Sequence, residues 1–190
     1  MPVGPIVKEH PRGGNDTIIP ARAGVGQRRS RPGAQAPPCH VVLRVRGAVV
    51  AGGYHGAMIS IQVKTGSRSD MVEVTHHLRR AVEEAGLDAG RVIAYVPHTT
   101  AGITINENAD PDVVHDMLAQ LDTMVPWSQP FYRHGEGNSA AHVKASMMGS
   151  SVTVLVDAGQ LVLGTWQGVY LCEFDGPRTR RLILDVRQTE

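Results

Sequence analysis

Four short apolar runs in the last third of the chain constrain the fold more than any other feature of the sequence. The runs span residues 152–156, 161–163, 169–174 and 182–186. Each is shorter than a typical helix, and turn-forming residues lie between them. The pattern therefore predicts consecutive β-strands joined by tight turns.

Three further strands are predicted upstream of these runs. Residues 58–65 (MISIQVKT) alternate apolar and polar side chains, as a half-buried strand does. Residues 91–96 (RVIAYV) have the pattern of a buried strand, and residues 102–106 follow as another. The chain therefore has enough strands for a largely antiparallel sheet.

Three helices are predicted among the strands. The first begins at Ser69 or Asp70, because Asp70 and the glutamate three residues later have capping-box spacing and an apolar stripe follows. The second begins at Asp110-Pro111, a capping side chain followed by a residue whose missing N–H costs nothing at that position. The third spans residues 138–148. The expected fold class is α+β, with about three helices packed on the sheet.

The first 57 residues have a different composition from the rest. They are rich in Pro, Gly, Ala and Arg, and only residues 40–50 have the pattern of a strand. They carry eight Lys and Arg against two acidic residues, net +6, whereas residues 58–190 carry eleven against sixteen, net −5. We expect the domain to span residues 58–190, and residues 1–57 to be a disordered tail, a transit-like leader or a start assigned too far upstream.

Charge, hydropathy and cysteine use exclude several classes of protein. An acidic domain is a poor reader of phosphate backbones, so we expect no nucleic-acid partner. No apolar run approaches the ~18 to 20 residues of a membrane span, so we expect no membrane partner either. Cys39 and Cys172 form neither a CxxC pair nor a disulfide framework, which favours the cytoplasm. Cys172 lies in an apolar run and is expected to be a buried thiol.

Residue types that bind or react are concentrated in four short segments: residues 97–110, 134–142, 163–167 and 173–180. Taken singly, each has an ordinary interpretation as a turn, a helix cap, a core aromatic or a surface salt bridge. Their joint occurrence predicts a site.

Three histidines in these segments suggest a metal. His98, His134 and His142 form a credible set for a divalent ion, Mg or Zn, although their spacing lacks the HExxH signature. Asn138 and His142 are four residues apart and share a helix face, and the start of that helix favours anions. The alternative for His98 is a loop residue bonded to backbone.

Arg178 and Arg180 follow a turn and alternate onto one side of the last strand, which suits bidentate capture of phosphate. The alternative is a salt bridge with Glu173 or Asp185. Residues 175–177, taken alone, have the pattern of a plain hairpin turn.

Trp166 and Gln167 follow Gly164 and suit a flat wall and an amide for a heteroaromatic ring. The alternative is a core tryptophan, and Tyr170 on the same strand is expected to be a core residue.

These segments also carry a family resemblance. HTTAGITINENAD, HGEGNSAAH, the run from Ser151 through Gly159 to GTWQGV, and EFDGPRTRR are similar to the signature segments of the YjbQ family, in the same order. The resemblance covers most of residues 58–190. It implies a small α+β fold that assembles as a homotrimer, with sites near the subunit boundaries.

The resemblance also implies a reaction, because members are described as secondary thiamine-phosphate synthases. Such an enzyme joins an aminopyrimidine methyl diphosphate to a thiazole phosphate and releases pyrophosphate, so its partner is a small phosphorylated substrate. The residue chemistry can be fitted to this reaction in two parts. Positive charge at the diphosphate is expected from Arg178 and Arg180 with a divalent metal. The pyrimidine cation is expected to be surrounded by Glu136, Asp112 and Trp166. The groups expected to orient rings and phosphates are Asn138, Gln167, Thr99 and Thr100.

Two other hypotheses stay open at this point. One is metal-assisted hydrolysis of a phosphorylated or reactive metabolite, with the three histidines on the metal and Glu136 as the base. The other is a noncatalytic trimer that binds a metabolite.

Overall fold

The structure of the chain is a computed structural model that describes residues 44–47 and 56–189. Within those residues the chain forms nine strands and three helices. In chain order they are β1 (Arg44–Gly47), β2 (Gly56–Lys64), β3 (Asp70–Glu73), α1 (Thr75–Ala85), β4 (Gly90–Tyr95), β5 (Ala101–Glu107), α2 (Pro111–Met124), α3 (Ser139–Met148), β6 (Ser151–Asp157), β7 (Gln160–Leu161), β8 (Gln167–Glu173) and β9 (Thr179–Gln188).

The strands form two antiparallel sheets. The larger has the order β1-β2-β9-β4-β6-β7, and the smaller has the order β3-β8-β5. In the larger sheet β9 lies between β2 and β4, with Leu184 opposite both Ile59 and Ala94. In the smaller sheet β8 is central, and its last residue, Glu173, pairs with Asp70 on one side and Ala101 on the other. The predicted α+β class, with antiparallel sheets and three helices, is confirmed.

Two apolar cores lie on the two faces of the smaller sheet. The main core joins its inner face to α1 and the larger sheet, and includes Leu171 and Leu184. The second core joins its outer face to α2 and α3, and includes Tyr170, Cys172 and Phe174. Successive side chains of a strand point to opposite faces, so β8 is apolar on both. This explains the unbroken apolar run at residues 169–174.

The predicted start of the first helix is wrong. Residues 70–73 form strand β3, and the helix begins at Thr75. The Asp70 carboxylate accepts from Gly66 N instead of capping a helix, while Glu73 Oε1 accepts from Thr75 N at 2.8 Å. Pairing with β8 thus outweighs the local capping signal, and Glu73 satisfies a free N–H group at the true start. The second and third helices begin where predicted, and the Asp110 side chain accepts from Asp112 N.

The hairpin interpretation of residues 175–177 is also wrong. Strands β8 and β9 belong to different sheets, so the segment between them crosses from one sheet to the other. The Gly176-Pro177 peptide bond is cis. A Cβ atom on Gly176 would lie 2.4 Å from Ser67 O, so only glycine fits this crossing without a shift of backbone.

Strand β1 lies within residues 40–50, the one part of the predicted leader with a strand pattern. It pairs with β2 in antiparallel register, Arg44 opposite Ser60. The rest of that leader, residues 1–43 and 48–55 with Cys39, lies outside the described residues, so the prediction for residues 1–57 stays a prediction. In the described part of the chain, no helix has the length and apolar character to cross a membrane.

Candidate functional site

A buried carboxylate at the end of β8 organises the site. Glu173 is fully buried, although it lies in an otherwise apolar strand. Arg180 donates to it through Nε (2.6 Å) and Nη2 (2.5 Å), and Thr65 Oγ1 donates to the same carboxylate at 3.2 Å. The backbone N–H groups of Phe174 and Asp175 donate to Oε1. Because both charges are buried, this bidentate pair fixes the crossing segment that follows β8.

The surroundings of Arg180 therefore differ from those expected of a residue that binds phosphate. Its guanidinium is only 8% exposed and also donates to Thr100 Oγ1 at 2.8 Å. The alternative of a salt bridge with Glu173 holds, except that the pair is buried and not on the surface. We therefore assign to Arg180 and Thr100 the role of positioning the segment that follows β8. Thr99, next to Thr100, is exposed.

Arg178 lies outside this buried network and is 53% exposed. Its Nε donates to the carbonyl oxygen of Asp175 at 2.6 Å, and its Nη2 donates to Asp175 Oδ2 at 2.7 Å. The backbone N–H of Arg178 donates to Thr65 Oγ1, which links the segment to the end of β2. The guanidinium is thus held in one orientation at the surface.

Asn138 connects Asp175, the partner of Arg178, to the loop before α3. Its Nδ2 donates to Asp175 Oδ2 at 3.1 Å and to Glu136 Oε2 at 3.2 Å. His134 Nε2 lies 3.8 Å from the same Glu136 oxygen. Three of the four predicted segments therefore meet at this end of β8.

His98 reaches the same region from the loop after β4. The backbone N–H of Arg181 donates to His98 Nε2 at 2.8 Å, so that nitrogen is an acceptor. Burial, followed by the positive charges of Arg180 and Arg181, lowers the pKa of His98 below its usual value of 6.5. A neutral imidazole with one nitrogen engaged by backbone is the result, as the ordinary interpretation of His98 expected.

Of the three predicted metal ligands, His134 and His142 lie next to each other. The rings of His134 and His142 meet edge to face, with centroids 5.2 Å apart. Among residues 56–189, no three His, Cys, Asp or Glu side chains are arranged to hold a metal ion. The described residues thus do not fit a closed three-ligand site, and the metal stays a prediction.

Trp166 and Gln167 lie at the opposite end of β8. The Trp166 side chain is 66% exposed, so the alternative of a core tryptophan is wrong. The Trp166 carbonyl accepts from Asn108 N at 2.6 Å, and Gln167 Oε1 accepts from Gly164 N at 2.8 Å. Tyr170, expected in the core, is buried.

Asp112 belongs with this second group, because it lies in the exposed first turn of α2, shortly after Asn108. Gln167 and Glu173 are six residues apart on one strand, which corresponds to about 20 Å. We call the two groups the Trp166 end and the Glu173 end. The first comprises Asn108, Asp112, Trp166 and Gln167. The second comprises His98, Thr100, His134, Glu136, Asn138, His142, Glu173, Asp175, Arg178 and Arg180.

Two other features are separate from this site. A cleft of about 480 Å³ lies between the C-terminal end of α1 and the β6–β7 turn, lined by Arg79 and Asp88 among others, and none of the predicted site residues lines it. Cys172 is fully buried, and burial raises the pKa of its thiol to about 12. The expected buried thiol is confirmed, and a protonated thiol is a poor nucleophile.

Sequence reasoning assigned no role to Asp175 or Thr65 and named Glu173 only as a surface salt-bridge partner. One signal for the buried role of Glu173 was available, because a carboxylate in an apolar strand needs a buried partner. Thr65 offered no such signal, since its three hydrogen bonds reach Glu173 and Arg178, more than one hundred residues away.

Comparisons with known proteins identify the family of the chain. A family model described as UPF0047 protein YjbQ-like matches residues 59–189, more than half of the chain. The chain belongs to the YjbQ family. Within that family it is 54% identical to the UPF0047 protein YugU of Bacillus subtilis over 121 residues, which is 64% of this chain and 92% of that protein.

Two further relatives support the same fold. A UPF0047 protein of Methanocaldococcus jannaschii is 45% identical over 129 residues, 68% of this chain and 93% of that protein. A crystal structure of a YjbQ/UPF0047 family protein from Clostridium acetobutylicum, described as uncharacterized, has a TM-score of 0.66 and 48% identity and covers 67% of this chain and 98% of that one. The YjbQ family match ends at residue 189 and includes every residue of both ends of β8.

Proposed function

We propose that this YjbQ-family chain is a cytoplasmic transferase that joins an aminopyrimidine methyl diphosphate to a thiazole phosphate. In that reaction the bond between the methylene carbon and the diphosphate oxygen breaks, and the thiazole nitrogen bonds to the same carbon. Pyrophosphate leaves with the electron pair of the broken bond. The enzyme must therefore stabilise negative charge on pyrophosphate and positive charge on the pyrimidine methylene group.

The orientation of Arg178 is the observation that carries the proposal. Two hydrogen bonds to Asp175 use its Nε and Nη2 atoms, and half of the side chain stays exposed. Nη1 then points away from these partners, toward an incoming oxyanion. A cation held in place before the substrate arrives stabilises the developing charge without reorganising during the reaction.

Glu136 and Asn138 meet the second requirement, stabilisation of positive charge on the pyrimidine methylene group. The Glu136 carboxylate is 74% exposed and shares Asn138 Nδ2 with Asp175, so two carboxylates lie on the same side of the amide. Negative charge there stabilises the pyrimidine cation once pyrophosphate begins to leave. Glu173, Arg180 and Thr100 act from beneath by holding the crossing segment. No step of this reaction is assigned to a metal.

The proposed assembly is a homotrimer in which a neighbouring subunit completes each site. Gln167, with Trp166 directly before it, lies about 20 Å from Glu173 along β8, too far to reach one small substrate together with Arg178. An exposed tryptophan beside polar groups suits stacking on a heteroaromatic ring. In a head-to-tail ring, the Trp166 end of one copy meets the Glu173 end of the next.

The test of activity uses purified full-length protein with both phosphorylated substrates, and follows thiamine phosphate and pyrophosphate together. The wild-type protein is expected to form both in equal amounts. Arg178→Ala is expected to raise the KM for the diphosphate about tenfold or more, because it removes a charge-assisted hydrogen bond. Arg187→Ala is the matched control, since Arg187 is also half exposed and pairs with Asp185, and it is expected to change nothing.

Other outcomes separate the competing hypotheses. Phosphate or pyrophosphate release without thiazole phosphate, together with stoichiometric zinc in the protein, would favour the hydrolase. Binding of either substrate without product would favour the metabolite-binding trimer.

The shared site has its own test. Arg178→Ala and Trp166→Ala are each expected to be weakly active, and mixed trimers refolded from both chains are expected to regain part of the wild-type activity. Mixed trimers recover activity only if the two residues act at one site from different subunits. Mixtures no more active than either variant would contradict the shared site.

A further inference from the structure

The orientation of the Asn138 side chain is fixed by its neighbours. Nδ2 lies within hydrogen-bond distance of two carboxylate oxygens, from Glu136 and from Asp175. Only the N–H₂ side of the amide can face two acceptors, since its oxygen would be repelled by both. The position of Oδ1 therefore follows from the chemistry of the contacts.

Asn138 Oδ1 has no hydrogen-bond donor among the described residues, although it is buried and Asn138 as a whole is 5% exposed. It is the one buried side-chain nitrogen or oxygen of residues 56–189 in this condition. Buried acceptors are nearly always paired, because an unpaired one loses its water without compensation. The described residues thus leave this acceptor available to an N–H or O–H donor from a ligand.

The turn in front of Asn138 provides a route to it. Residues 134–137 form an exposed turn closed by a hydrogen bond from Gly137 N to His134 O. Gly137 has a φ of +70°, and an added Cβ atom at Gly135 or Gly137 would meet nothing within 4 Å. Because the turn directly precedes Asn138 and both glycines are free of packing, a ligand that reaches Oδ1 would do so by displacing this turn.

We propose that Asn138 Oδ1 accepts a hydrogen bond from an amino group on a heteroaromatic ring, which makes Asn138 the residue that selects an amino-substituted ring. This inference rests on the proposed function and specifies which atom reads the pyrimidine. The neighbouring carboxylates of Glu136 and Asp175 strengthen the preference, because they favour a ring whose amino group donates and whose charge becomes positive. Arg178, on the other side of Asp175, takes the diphosphate of the same molecule.

The test compares two ligands on each protein, so that a general loss of folding cannot imitate the result. The ligands are the aminopyrimidine methyl diphosphate and the same compound with hydrogen in place of its amino group, and affinities are measured by calorimetry without thiazole phosphate. Wild-type protein is expected to bind the amino compound about tenfold or more tightly. Asn138→Ala is expected to bind both compounds with the affinity that wild-type protein has for the compound without the amino group, which an unfolded protein would not show.

A second variant guards the interpretation. Asn106→Ala, which removes a half-buried asparagine on β5 that donates to Met117, is the matched control and is expected to keep the preference for the amino compound.

Each outcome has a separate meaning. Equal binding of both compounds by wild-type protein, or a preference that survives in Asn138→Ala, would overturn the role of Asn138 and leave the proposed function standing. If wild-type protein binds neither compound, the proposed function fails and this inference fails with it.

Discussion

The two ends of strand β8 differ in how their polar residues are held. At the Glu173 end, the side chains are bonded to one another across both sheets, and the central carboxylate and guanidinium are buried. At the Trp166 end, Trp166, Gln167 and Asp112 are exposed, and the Gln167 amide bonds only to the nearby backbone of Gly164. A bonded, buried group is positioned before a ligand arrives, whereas an exposed group needs a further partner to be positioned.

The difference predicts that substitutions in the buried pair of the Glu173 end lower stability, whereas substitutions of exposed residues, Arg178 at that end and Trp166 at the other, act on binding. Glu173→Gln should have the largest effect. It leaves Arg180 buried without its countercharge, and we expect the free energy of unfolding to fall by about 3 to 5 kcal/mol. Urea denaturation followed by circular dichroism measures it.

A double variant sharpens this prediction. Replacing Glu173 and Arg180 together by Leu and Met removes both buried charges, and we expect most of the lost stability to return. A double variant as unstable as Glu173→Gln would show that the charge pair is not what holds the segment.

Arg178→Ala should have the next largest effect, and it should act on binding. Because the Arg178–Asp175 pair is largely exposed, we expect the free energy of unfolding to change by less than about 1 kcal/mol. We expect the affinity for pyrophosphate, measured by calorimetry, to fall about tenfold or more. A large loss of stability with unchanged affinity would reverse the roles of Arg178 and Arg180.

The dependence of stability on pH gives a further prediction, which concerns His77 in α1. His77 lies in the first turn of α1, and burial, followed by the charge of His76, lowers its pKa from 6.5 to about 4. Below pH 6.5 the unfolded chain binds a proton that the folded chain does not, so the stability contributed by neutral His77 is complete above pH 6.5 and is lost as the pH falls through about 4.

We therefore expect the free energy of unfolding to fall by up to about 1.4 kcal/mol per pH unit between pH 6.5 and 4. His77→Gln should reduce this slope in denaturation curves measured at a series of pH values. An unchanged slope would mean that His77 titrates normally in the folded protein.

Trp166→Ala should have the smallest effect on stability. Its side chain is two-thirds exposed, and the hydrogen bond from Asn108 uses only its backbone carbonyl. We expect the free energy of unfolding to change by no more than about 0.5 kcal/mol in the isolated subunit. A loss of several kcal/mol that does not depend on protein concentration would contradict this prediction, whereas a loss that does depend on it is what the proposed trimer, with Trp166 in a subunit interface, would give.

The sequence was sufficient to predict most of the fold because its signals are local. The strand around residues 58–65 follows from alternation, the strand around residues 182–186 from a short apolar run, and Asp110-Pro111 marks the start of α2. The start of α1 was wrong because the spacing of Asp70 and Glu73 is also compatible with a strand, and pairing with β8 decided between them. That pairing joins residues about one hundred positions apart and leaves no local signal.

The site was predictable as a set of residues but not as an arrangement. His98, Glu136, Asn138 and Arg178 do lie at one end of β8, as their joint occurrence suggested. The separate roles of Arg178 and Arg180 could not be predicted, because the two residues look alike in sequence and only the crossing between the sheets buries one of them. The distance between Trp166 and Arg178 could not be predicted either, because it depends on the two residues lying at opposite ends of β8.

The most direct test of the account is a crystal structure of the protein with pyrophosphate. We expect pyrophosphate to contact Arg178 at the surface beside Asp175 and Asn138, with the Arg180–Glu173 pair unbroken beneath it. Pyrophosphate bound instead in the cleft beside Arg79, with Arg178 still paired only to Asp175, would contradict the central claim that the Glu173 end recognises a phosphorylated substrate.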